Sequence, residues 1–60
     1  MDVFVSEHLT AWANREFRND NERYDVIDML TRLWESDTEY WASHNHSWWE
    51  LYDIAKRNQR

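Results

Sequence analysis

Glycine, proline and cysteine are all absent from the 60 residues. Without cysteine there is no disulfide and no thiolate metal site. Without glycine there is no phosphate-cradling loop and no turn that depends on an inexpensive positive φ. Without proline no strong helix breaker exists. Tight hairpins are therefore disfavoured, and the connections must be built from Asn, Asp, Ser and His. Long apolar runs are missing as well. No stretch approaches the roughly 18 residues that a bilayer span requires, and Met1 to Val5 has neither a basic start nor a long apolar core of the secretory kind. These absences point to a soluble, cytoplasmic protein without cofactor, held together by packing or by partners.

A chain this short is read as one helical domain over residues 1–60, and it buries only about 60% of the surface that its unfolded form exposes. With 42% hydrophobic and 17% aromatic residues it is too apolar for a disordered tail. The formal net charge is -5. All twelve acidic residues lie between Asp2 and Asp53, whereas Lys56, Arg57 and Arg60 close the chain. Such a body repels nucleic acid and lipid headgroups and attracts basic surfaces, so no direct nucleic-acid or membrane contact is expected.

Three punctuation points carry a capping residue with Glu three positions later: Asn19/Glu22, Ser36/Glu39 and Ser47/Glu50. In a capping box the cap side chain accepts from a backbone N–H while the Glu reaches back to the cap's own N–H. Between these points the apolar residues recur at helical spacing. The first segment, from about Asp2 or Ser6 to Arg18, places Val5, Leu9, Trp12 and Ala13 on one face with Phe4, His8 and Phe17 on its flanks. Glu16 falls near the centre of that face. Either an arginine such as Arg23 pairs with it, or the helix ends before it. The second segment, Asp20 to Glu35, carries a broad arc of Val26, Ile27, Met29, Leu30, Leu33 and Trp34, wide enough to meet two neighbours. Asp25, Asp28, Arg32 and Glu35 are expected on the opposite face. From Asp37 onward, Trp41, His44, Trp48, Leu51, Tyr52 and Ala55 form one stripe, as a continuous helix requires, while the box at Ser47 argues for a break. The expected fold is a small all-α three-helix bundle whose third helix is either continuous or broken near 44–47, which would give four short helices.

His44 and His46 with Glu50 invite a metal reading, but on a helix two residues apart point to opposite sides. A half-buried His44 beside an exposed His46 fits the pattern better. Asp25 with Asp28, or Asp37 with Glu39, would serve as acid and base only in a water-excluding cleft, and a bundle of this size has little interior to form one. No nucleophile and base stand in a supporting motif. No enzyme and no metal site are expected.

Two features remain. Asp25, Asp28, Glu35 and Glu39 recur at helical steps and build a ladder of negative charge with spacings of about 5 to 10 Å, comparable with phosphates. Such a ladder can compete for the arginines and lysines with which another protein holds DNA or RNA. Its plain alternative is a solvated helix face, with Arg32 satisfied by Asp28 and Glu35. The second feature is five tryptophans, two of them adjacent. Trp48 and Trp49 diverge by about 100° on a helix, so if Trp48 faces the core, Trp49 lies on a flank and Ile54 nearly opposite. Exposed Trp and Tyr are common interface anchors, which adds Tyr40 and Trp49 to the four carboxylates as candidate partner-binding residues.

The sequence thus favours an acidic protein that binds and occludes a protein target, itself a nucleic-acid-binding host protein in the sharpest form. A homo-oligomeric module that self-associates through Trp49, Tyr40 and Ile54 is the alternative, and an enzyme or metal protein is the weakest reading. In composition the chain is similar in kind to the small acidic inhibitors made by bacteriophages, including anti-CRISPR and anti-restriction proteins. That resemblance implies a partner in the host cytoplasm and assigns a role to no particular residue.

Overall fold

The computed structural model describes residues 2–58 and contains four helices and, among those residues, no strand: α1 (Val3–Glu16), α2 (Asp20–Ser36), α3 (Thr38–Ser43) and α4 (Trp48–Asn58). No helix among the described residues is long and apolar enough to cross a membrane.

Each helix starts on a side-chain cap. Asp2 accepts from the Phe4 N–H at 2.8 Å, and Asn19 accepts from the Glu22 N–H at 3.1 Å. The box at Ser36 does not form. Ser36 is instead the last residue of α2, where its hydroxyl donates to the Leu33 carbonyl at 2.6 Å, and the adjacent Asp37 caps α3 by accepting from the Tyr40 N–H at 3.4 Å. The box at Ser47 is complete: the Glu50 N–H donates to Ser47 Oγ at 3.2 Å, and the Ser47 N–H donates to Glu50 Oε1 at 3.4 Å. That reciprocal cap breaks the third segment into α3 and α4, so the competition between stripe and cap was won by the cap.

Helix ends show how a chain without glycine stops a helix. The usual device is a left-handed residue just past the end. Here no described residue has positive φ. Phe17 (φ −124°, ψ 120°) and His44 (φ −108°, ψ 121°) step directly into extended backbone, and their N–H groups still close the last turns onto Ala13 and Tyr40. At Phe17 the step has a packing cause. On a continuing helix its ring would stand about 140° around the axis from Trp12. The extended turn buries it instead, edge-on to Trp12 at 5.5 Å and against Tyr52 at 5.5 Å. The helix thus ends at Glu16, which pairs with its neighbour Arg15 at 3.3 Å, while Arg23 pairs with Asp20.

Leu9, Trp12, Ala13 and Phe17 from the first segment, Val26 and Leu30 from α2, and Leu51 and Ala55 from α4 form the buried core. Among the described residues no polar or charged side chain is buried with them. Helix α2 packs against each of the other three. Helices α1 and α4 meet through rings, Trp12 lying 6.4 Å from Trp48 and 6.5 Å from Tyr52. Helix α3 contributes no buried residue.

The histidines are placed the other way round from the sequence expectation: His44 is exposed and His46 half-buried. Because residues 44–47 are not helical, the two rings lie parallel on one side, 6.2 Å apart, with Tyr40 stacked on His44 at 4.0 Å. His46 Nδ1 is anchored by Glu50 Oε2 at 2.9 Å. Ile54, expected to be exposed, is half-buried.

Candidate protein-binding groove

An open groove of about 940 Å³ lies between α2 and α4. Its floor is the flank of the α2 apolar arc, Val26, Met29 and Leu33, together with Tyr52 and Ala55 of α4. The arc is broad because α2 must face both α1 and α4. Val26 and Leu30 are consumed by the core, and Met29 and Leu33 are left half-covered at its edge.

Glu22, Asp25 and Asp28 stand along the α2 wall of the groove. The helix repeat explains their placement: Met29 follows Asp25 by four residues, and Arg32 follows Asp28 by four, so each pair shares one strip of helix surface. Asp25 is thus at the border of the apolar arc rather than opposite it, whereas Asp28, which shares its strip with the exposed Arg32, stays on the far side of the arc and reaches the groove only at its rim. Arg32 Nε pairs with Asp28 Oδ2 at 3.2 Å, both side chains being well exposed, and such a pair contributes at most about 0.5 kcal/mol to the helix. Among the described residues Glu22 and Asp25 have no ionic partner. The α4 wall is different in sign. Lys56 lines it, with its ammonium 5.6 Å over the Tyr52 ring and no carboxylate paired to it among the described residues.

Of the six candidate residues, the structure brings only Asp25 and Asp28 into this groove. Glu35 is exposed on α2 outside it. Glu39 and Tyr40 sit on α3, beyond the helix break at Asp37, so the four carboxylates do not form one straight ladder. Trp49 is 48% exposed, yet its ring is engaged within the fold, 5.1 Å from Trp12, 5.9 Å from Phe17 and 5.7 Å from Tyr52. The groove also uses Glu22, Tyr52 and Lys56, which sequence reasoning did not select. The signal for Glu22 was its place one turn before Asp25 and Val26. Nothing in the sequence signalled the α4 side, because that wall exists only once α4 docks.

No family model, curated protein or solved structure matches the chain.

The Glu50 carboxyl lies outside the groove. Hydrogen bonds from His46 first, and from the Ser47 backbone second, hold the Glu50 carboxyl below its ordinary value. The His46 ring thus leads, and the reciprocal Ser47 cap of α4 adds to it. Among the described residues no three His, Asp or Glu side chains converge as a cation site, and His46 Nδ1 and His44 Nδ1 are both engaged, with Glu50 and with the Tyr40 carbonyl respectively.

Proposed function

We propose that this protein binds a basic protein surface through the α2 face and blocks what that surface otherwise holds, nucleic acid in the sharpest form of the reading. The observation that supports it best is the pair of unmatched carboxylates, Glu22 and Asp25, beside half-covered apolar side chains. A carboxylate without a partner keeps its full attraction for an incoming Arg or Lys, and the adjoining apolar floor lowers the local dielectric in which that attraction acts once water is displaced. The overall charge of -5 steers cationic partners toward the molecule and keeps polyanions away. The protein acts by occlusion, with no chemical step.

The test is competition. A lysine- and arginine-rich DNA-binding domain is loaded with fluorescent duplex, and the protein is titrated in. The wild-type chain displaces the duplex, whereas the Asp25→Lys/Asp28→Lys variant does not. Glu7→Lys/Glu16→Lys carries the same net charge with both changes on α1, and it retains displacement. Equal behaviour of the two variants would reduce the effect to net charge and sink the reading.

Self-association is the second reading. Val3 and Phe4, at the start of α1, are 72% and 66% exposed, and large apolar side chains left in water mark contacts. Light scattering across a concentration series, at low and high salt, separates the two. A dimer that survives salt supports self-association, and a monomer at all concentrations removes it.

A further inference from the structure

The groove between α2 and α4 has a shape and a charge pattern that select the form of its occupant, and we infer that it receives a single amphipathic helix with a cationic flank. This rests on the reading above that the α2 face binds a basic partner.

Length comes first. The α4 wall runs only from Tyr52 to Asn58, about 9 Å at 1.5 Å per residue, and the α2 wall from Glu22 to Ser36, about 21 Å or four helical turns. An occupant of that length must satisfy its own backbone, because both walls are helices whose backbone groups are already bonded to each other and present no free edge. A strand laid in such a groove would leave its N–H and C=O groups facing side chains, whereas a helix satisfies them internally. The floor then asks for a narrow apolar stripe opposite Met29, Leu33 and Tyr52.

Charge decides the rest. Glu22 and Asp25 on one wall are unmatched among the described residues, and Lys56 on the other is unmatched too. A helix seated between them is held best with Lys or Arg toward α2 and a neutral or acidic flank toward α4. This is the flank-charge logic by which paired helices choose partners and orientation.

A second copy of this chain fits less well. A stable dimer interface is built around exposed large apolar side chains, and none of those exposed here (Val3, Phe4, Tyr24, Tyr40, Trp49) lines the groove. Two copies would also bring like net charges together.

The probe is a labelled 16-residue helical peptide with Leu on one stripe, Lys on one flank and Glu on the other, titrated against the full chain by fluorescence anisotropy. A composition-matched peptide with the stripe scrambled is the control. The expected result is binding of the patterned peptide alone, weakened about tenfold by Glu22→Gln/Asp25→Asn, a loss equivalent to about 1.4 kcal/mol, with the far-UV spectrum unchanged. A peptide with Lys on both flanks should gain affinity from Lys56→Glu, a surface change that leaves the α2 wall intact. Equal binding of the scrambled peptide, or indifference to the Glu22/Asp25 and Lys56 changes, overturns the helix-in-groove inference. Absence of peptide binding while the protein still displaces duplex from the basic domain also overturns it and leaves the coarser reading standing. Absence of both overturns the two together.

Discussion

Helices α2 and α3 are separated by a single residue, Asp37, and have little else in common. Helix α2 has 17 residues, two of them fully in the core, and a well-aligned Asn19 cap. Helix α3 has six residues, none buried, and a cap contact of 3.4 Å. An isolated six-residue helix is far below the length at which helices persist in water. It survives here because its ends are tied: Thr38 Oγ1 donates to the Trp34 carbonyl at 3.2 Å, and Ser43 Oγ donates to the Glu39 and Tyr40 carbonyls at 2.8 and 3.1 Å. The difference teaches where stability resides. Helix α2 is the axis on which the whole fold depends, and α3 is a tethered turn that can open while the rest stays closed.

The hardest blow to that contrast would come from the core. A domain of this size has only about 3 to 9 kcal/mol of stability in total. Leu30→Ala is expected to remove about 2 to 5 kcal/mol, enough to abolish or nearly abolish the urea transition at 25 °C, whereas Tyr40→Ala on α3, at 42% exposure, should stay within about 0.5 kcal/mol. Comparable losses from both would mean that α3 is part of the cooperative unit. Next in size are the caps: Asn19→Ala should cost about 1 kcal/mol and shift the whole urea curve. Asp37→Ala should leave the midpoint nearly unmoved and speed amide exchange at Trp41 and Ser43 while Leu30 stays protected. Uniform exchange along the chain would erase the distinction.

The smallest effect is one of pH and concerns the joint between α3 and α4. Glu50 is held below its ordinary 4.5 by His46 and Ser47. Between that lowered value and 4.5 the unfolded chain binds more protons than the folded one, so stability rises with pH there. The contribution of Glu50 is complete above about pH 5 and is lost as the pH falls through the folded value. Urea midpoints of the wild type and Glu50→Gln should therefore differ at neutral pH and converge in acid. A gap that persists at pH 2 would mean that Glu50 acts by packing rather than by charge.

Much of this could be read before any coordinates. The α2 arc and the Asn19 cap located the central helix within one residue at its end, because length, cap and periodicity agreed. The break at 44–47 was half legible: the Ser47 box predicted it and the apolar stripe denied it, and spacing alone does not say which is stronger. The interval from Ser36 to Glu39 predicts a cap at Ser36, but Asp37 stands beside it and its negative charge suits a helix start better. The placing of His44 and His46 is not legible from periodicity, since a helical wheel has no meaning across a segment that is not helical. At the candidate site, Asp25 and Asp28 were legible from periodicity within one helix. Glu22, Tyr52 and Lys56 were not, since they become neighbours only through docking of α4 on α2. Tyr40 and Trp49 are exposed aromatics as the sequence predicts, but the Trp49 ring is half-occupied by Trp12, Phe17 and Tyr52.

The extended helix exits at Phe17 and His44 bear on how this protein can change over generations. No described residue has positive φ, so no connector position among them is reserved for glycine by its geometry. Selection on the joints acts through side chains, on Asn19, Phe17, Asp37, Ser47 and the paired His46 and Glu50. Lineages of such a chain can lose recognisable similarity quickly while keeping four helices in place, and the pattern to seek among distant relatives is the spacing of caps and core residues rather than any conserved turn.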